Sequence, residues 1–202
     1  VRFVDTASPV AAEERHYGIS MYPLGGIHWN ALAAALAARQ VIAALNAQPD
    51  APPLGALDWT WHMSDKPEGE ERDLLDILNL RFADWRYTVP HLTYDAAPAG
   101  ICRPAHITEV GGSFLFALDR ALSHLACPPA IAMWFYWEKR LQEYPADRAT
   151  MPPLDAAARR QSLRDADIVI FEENEASGPV SKHGEQMMAE LPALMARAGD
   201  TR

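Results

Sequence analysis

Cysteine is scarce in this sequence: its 202 residues include only Cys102 and Cys127. Two cysteines cannot build a disulfide scaffold or a cysteine-rich zinc site. They flank one strand–helix segment whose start and finish lie at the same end, so a single bridge is conceivable; two buried free thiols are the preferred reading. Long apolar runs are also missing. A membrane-spanning helix needs roughly 18–20 apolar residues, and the most apolar stretch, 31–45, is interrupted by Arg39 and Gln40. A basic excess is absent too. The net charge is −9 and the charges are dispersed, which argues against a nucleic-acid partner. There are no repeats or low-complexity tracts to suggest further domains. No leader-like segment opens the chain. It starts at Val1, inside what reads as a strand over 1–4, so a mature or trimmed piece is expected, with any targeting segment upstream.

What remains is a chain with 49% hydrophobic residues, enough for one sizeable core, and 1–202 is read as one domain. Residues 5–14 read as a loop or short helix, and 16–26 as irregular. Asn30 is a plausible N-cap for a long helix over 31–46. Residues 54–63, with Trp59 and Trp61, suggest a strand or a lid. Residues 65–71 read as a solvated loop, 73–80 as a short amphipathic helix, and 86–94 as an extended segment. Strands are predicted at 107–110, 130–137 and 167–171. Helices are predicted after Ser113, over 154–164 and over 184–198, the last kinked or interrupted by Pro192. Short, continuous apolar strands alternating with helices argue an α/β domain with a mostly parallel sheet. Functional residues are then expected beyond the carboxyl ends of the strands.

The chain is organised around His106-Ile107-Thr108-Glu109-Val110-Gly111-Gly112-Ser113-Phe114. A strand runs into a glycine pair, which permits positive φ or close backbone approach, and a serine opens the next helix. That placement puts a hydroxyl at a strand end beside the positive end of a helix dipole. Gly112 and Phe114 flank it as turn and oxyanion-site residues. Serine chemistry needs a base, and histidine is the usual one. His28, in Gly25-Gly26-Ile27-His28-Trp29-Asn30 at the entrance to the 31–46 helix, is the candidate. The residue two before it, where an orienting carboxylate would suit, is Gly26. Glu172, Glu173 and Glu175, which follow a strand end, and Asp5 are candidate orienters in its place, with a backbone carbonyl as the alternative acceptor. Ser113 and His28 are expected within hydrogen-bond reach of each other.

Four motifs in order, His28-Trp29-Asn30, Asp73-Leu74-Leu75-Asp76-Ile77-Leu78-Asn79-Leu80, Gly111-Gly112-Ser113-Phe114 and Asp167-Ile168-Val169-Ile170-Phe171-Glu172-Glu173-Asn174-Glu175, resemble the SGNH hydrolase-like acetyltransferases of the alginate O-acetylation (AlgX/AlgJ-like) type. The resemblance covers about residues 1–180. It implies a flavodoxin-like, three-layer α/β/α domain lacking its N-terminal portion, periplasmic location behind an upstream signal or anchor, and acetyl transfer to exopolysaccharide hydroxyls. It also implies a polysaccharide substrate and a membrane acyltransferase as acetyl donor, with no cofactor and no metal. Ser113 takes the nucleophile's place and His28 the base's. Two positions depart from the family: its triad aspartate falls on Gly26, and its Gly-Asp-Ser aspartate falls on Gly112. Trp29, Trp59 and Trp61 are candidate glycan-stacking surfaces, and Trp137 is read as core. The competing reading is a catalytically silent glycan-binding or assembly module on the same fold.

Overall fold

The computed structural model describes residues 2–78, 86–95, 102–144, 149–150, 156–174 and 182–195. The chain divides into two compact units: residues 1–101 with 120–126, and residues 102–119 with 127–202.

In the first unit, helix α1 covers Ala7–Tyr17 and helix α2 covers Ala31–Asn46. The α2 segment is rich in alanine and leucine, the residues least opposed to helix formation. Its start is fixed by Asn30, whose side-chain oxygen accepts from the Ala33 N–H at 2.9 Å while its amide donates to the Ser20 carbonyl at 2.8 Å. Leu32, Ala33, Leu36 and Ala37 of α2 pack with Val10 and Met21, and Tyr17, Trp29, Trp59 and Leu92 close over them. Strands β1 (Trp59–Ser64) and β2 (Val89–Tyr94) form a separate antiparallel pair, with Trp59 opposite Tyr94 and His62 opposite His91. Between them a 3-10 turn, Gly69–Glu71, leads into the short helix α3, Asp73–Leu78. Residues 79–80 of the expected α3 lie outside the described residues.

The expected strand over 1–4 is not formed at residues 2–4, which are irregular up to the start of α1. A strand needs a ladder partner; among the described residues none pairs with this segment, and Phe3 is 91% exposed.

The second unit is built on a sheet of order β6-β5-β4-β3-β7. Strands β3 (His106–Gly111), β4 (Ala130–Phe135) and β7 (Ile168–Phe171) run parallel, with β3 central. Strands β5 (Lys139–Tyr144) and β6 (Ala149–Thr150) continue it antiparallel. The predicted strand over 130–137 therefore ends at Phe135, where the chain turns back. Helix α4 starts here at Phe114 and ends at Leu122; helices α5 (Ala156–Asp165) and α6 (Lys182–Met195) complete the unit. Pro192 lies inside α6 without ending it.

Helices cover both faces of the sheet. Side chains alternate along a strand. On one face Val110, Trp134 and Trp137 pack with Leu163 and Met187, and the Thr108 hydroxyl donates to the Ser162 carbonyl at 3.0 Å. On the other, Phe116 of α4 stacks on Phe135 at 5.5 Å between centroids. The described residues thus form a mixed α/β fold with a parallel three-strand core and helix layers on either side, as the alternation of elements predicts.

Cys102 and Cys127 are joined in a disulfide, with 5.9 Å between their Cα atoms. This corrects the preference for free thiols. The approaches to β3 and β4 run side by side, where the Ala130 N–H donates to the Ala105 carbonyl at 2.9 Å, and that brings the two cysteines together. Closing this separation of 25 residues stabilises by about 3–4 kcal/mol in the chain-entropy picture. Among the described residues no helix is long and apolar enough to cross a membrane, and no three His, Cys, Asp or Glu side chains could together hold a metal ion.

Candidate active site

His28 lies in the loop between α1 and α2, two residues before the N-cap Asn30, and is only 7% exposed. Its Nδ1 is 2.6 Å from Asp73 Oδ2. The other oxygen of the same carboxylate accepts from the Ile27 N–H at 3.0 Å. Where the carboxylate accepts, Nδ1 is the donor of this bond, and the second ring nitrogen is Nε2. Asp73 is the first residue of α3, where a negative charge is favoured by the helix dipole.

The Gly25-Gly26 pair makes this meeting geometrically possible. The Gly25 carbonyl accepts from the Leu74 and Leu75 N–H groups at 3.0 and 3.2 Å, so the loop lies directly on the N-terminus of α3. A Cβ on Gly26 would fall 2.3 Å from the Glu70 carbonyl oxygen, and one on Gly25 2.3 Å from the Tyr87 hydroxyl. Both glycines are needed for close approach, and neither has a positive φ. Position 26 has no room for any side chain, an aspartate least of all. The carboxylate that meets His28 comes from 45 residues downstream instead. Glu70 is itself held by Arg120, at 3.0–3.1 Å from both carboxylate oxygens. Its neighbour Glu71 was read as part of a solvated loop, yet it is buried. Burial raises its carboxyl above the usual range, opposed by the backbone N–H groups of Glu68 and Ala31.

Ser113 lies in the second unit, between the carboxyl end of β3 and the first residue of α4. Its carbonyl accepts from the Phe116 N–H at 3.2 Å and that of Gly112 from the Leu115 N–H at 3.3 Å, a tight first turn. The ends of all three parallel strands meet at this turn. After β7, Glu172 sends its backbone N–H to the Val110 carbonyl at 2.9 Å and its Oε2 accepts from the Gly112 N–H at 2.7 Å. After β4, the Tyr136 N–H donates to the Gly111 carbonyl at 2.9 Å. A Cβ on Gly112 would sit 3.1 Å from both Cε1 and Oη of Tyr136, and one on Gly111 2.7 Å from Glu172. Here too the glycines serve close approach, since neither has a positive φ.

Tyr136 and Trp137 do have positive φ, 49° and 61°. Bulky residues rarely occupy this region, at a cost of about 1–2 kcal/mol each. Trp137 offsets part of that cost: it is fully buried and its indole N–H donates to Glu190 at 3.0 Å.

The expected orienters are thus placed otherwise. Glu172 holds Gly112, Glu173 is exposed, and Glu175 lies outside the described residues. The carboxylate on His28 Nδ1 is that of Asp73. The Gly112 N–H is given to Glu172, and Phe114 is the first residue of α4. Trp29 and Trp59 pack against the first unit's core, with the Arg39 guanidinium 3.7 Å above the Trp59 ring centre. Trp61 is 37% exposed and meets Tyr17 edge-on. Trp137 is core, as read. Sequence reasoning missed Asp73 and Tyr136. The signal for Asp73 was its place as an acid opening a helix within one of the four ordered motifs; for Tyr136 it was an aromatic residue at the end of a predicted strand.

No protein-family model matches the sequence, and no curated protein matches it either. Among solved structures, the chain is similar to the O-acetyltransferase domain of Pseudomonas putida AlgJ, with a TM-score of 0.47 and 17% sequence identity, over 94% of this chain and 66% of that one.

Proposed function

We propose that this chain is a serine-dependent O-acetyltransferase or acetylesterase acting on a bacterial exopolysaccharide, with Ser113 as nucleophile and the His28–Asp73 pair as its base. The observation that carries the reading is the carboxylate on His28 Nδ1. The sequence leaves His28 without an orienter at Gly26, and Asp73 supplies one. In the proposed mechanism His28 Nε2 takes the hydroxyl proton of Ser113 as Oγ adds to the acetyl carbonyl. The developing oxyanion is held by backbone N–H groups of the α4 first turn, that of Ser113 among them. Collapse expels the donor's oxygen, which recovers the proton from His28, and leaves acetyl-Ser113. A sugar hydroxyl, or water in an esterase, then attacks the acetyl-enzyme with the same histidine as base. Transfer to a sugar requires water to be kept out.

The Cys102–Cys127 disulfide supports an oxidising compartment, and with it the periplasm. A polysaccharide acceptor and a membrane acyltransferase as acetyl donor belong to the same proposal.

The test is stoichiometric labelling of the full-length protein by a serine-directed organophosphonate or sulfonyl fluoride, read by intact mass. One adduct is expected, absent in Ser113→Ala and strongly slowed in His28→Ala. p-Nitrophenyl acetate should give an acetyl-enzyme burst. Absence of any adduct on Ser113 would sink the enzyme reading and favour the silent glycan-binding or assembly module.

A further inference from the structure

We infer that the phenol of Tyr136 is a further catalytic group, an oxyanion donor that stands in for the Gly112 N–H. The inference rests on the proposed role of Ser113. The Gly112 N–H, next to the nucleophile, is committed to Glu172 Oε2 at 2.7 Å. A further preorganised donor close by would add to the backbone N–H groups of the α4 first turn in stabilising the oxyanion. Tyr136 provides it. Its Oη and Cε1 each lie 3.1 Å from where a Cβ on Gly112 would sit, so the hydroxyl borders the residue that precedes Ser113.

Its position is held firmly. The Tyr136 N–H is bonded to the Gly111 carbonyl, and the ring packs on Phe135 at 4.3 Å between centroids. Phe135 stacks in turn on Phe116 of the serine's own helix. The backbone adopts φ 49° at a tyrosine and 61° at the following tryptophan, although a glycine or asparagine would take that conformation with less strain. Strained residues persist where the surroundings over-determine them, and they gather at functional sites. Here the buried Trp137, bonded to Glu190, supplies that over-determination. It aims the phenol at the serine turn from the carboxyl end of β4, the strand next to the one that delivers Ser113.

In the step itself, as Ser113 Oγ bonds to the acetyl carbon, the carbonyl π pair moves to oxygen. The Tyr136 O–H hydrogen-bonds that oxyanion without transferring its proton, and is released when the C=O re-forms.

The test compares wild type, Tyr136→Phe and Ser113→Ala on p-nitrophenyl acetate. Phenylalanine keeps the ring over Gly112 and removes only the hydroxyl. The expected result is a fall in kcat of about 10²–10³-fold, the range for loss of one oxyanion donor. KM should stay within about twofold and the melting temperature should not change, since the donor acts on the transition state alone. Ser113-dependent turnover that is equal in wild type and Tyr136→Phe overturns the inference and leaves the serine reading intact. A parallel rise in KM with kcat unchanged also overturns it. Turnover that does not depend on Ser113 overturns both.

Discussion

Two glycine pairs, Gly25-Gly26 and Gly111-Gly112, each sit just ahead of a residue with chemistry, and they differ in what occupies the missing side chains. At Gly26 the obstacle is backbone: the Glu70 carbonyl oxygen is 2.3 Å from a Cβ. At Gly112 it is the ring of Tyr136, at 3.1–3.3 Å. The first pair lets a loop dock on the end of a helix so that Asp73 reaches His28. The second lets side chains from two neighbouring strand ends crowd the serine turn. A backbone obstacle cannot swing aside, whereas a ring can move by tenths of an ångström. The histidine site is therefore the more brittle of the two, although nothing in the local sequence distinguishes them.

The largest effect is expected where the first docking has its purpose. Asp73→Asn should keep the shape but cease to enforce the tautomer of His28, lowering kcat on an activated ester by about 10⁴-fold, as loss of the orienting acid does in serine triads. If Asp73→Asn instead keeps the wild-type kcat, the assignment of Asp73 is wrong.

Next in size is the staple found in only one of the two regions. Replacing Cys102 and Cys127 together by serine should lower stability by about 3–4 kcal/mol, measured by urea unfolding. Because the bridge flanks β3 and α4, the loss should be accompanied by slower labelling of Ser113.

The comparison itself is tested most directly by alanine at each pair. Gly26→Ala should cost about 3 kcal/mol, the upper end of overpacking, and should suppress activity along with stability. Gly112→Ala should cost about 1 kcal/mol, at the lower end of that range. Equal losses at the two sites would remove the distinction drawn here between backbone and side-chain obstacles.

The smallest effect is a pH dependence confined to the histidine region. Burial raises the Glu71 carboxyl above its ordinary value of 4.5. A raised acid favours the folded state while it is protonated. Its contribution is full below pH 4.5 and is lost as pH rises through the higher folded value. Glu71→Gln should flatten that decline in a series of unfolding curves taken upward from pH 4, whereas Glu173→Gln, at an exposed position, should leave it unchanged.

Much of this was legible beforehand, and for one reason: it is local. The α2 helix begins and ends where alanine-rich sequence and a capping asparagine dictate, at Ala31 and Asn46. Continuous apolar runs marked β3 and β7 as parallel strands, but only β3 is buried: β7 stands last in the strand order, and Val169 and Phe171 on it are exposed. His28 and Ser113 stand at the element boundaries where their neighbours place them. What the tertiary structure alone decided involves pairs far apart in the chain: His28 with Asp73 across 45 residues, Gly112 with Glu172 across 60, Cys102 with Cys127 across 25. Propensity, capping and periodicity act over a turn of helix or one strand. They establish which residues stand at the ends of elements. Which of those ends meet is settled only by the packing that buries Gly26 against Glu70 and by the parallel pairing that sets β7 and β4 on either side of β3.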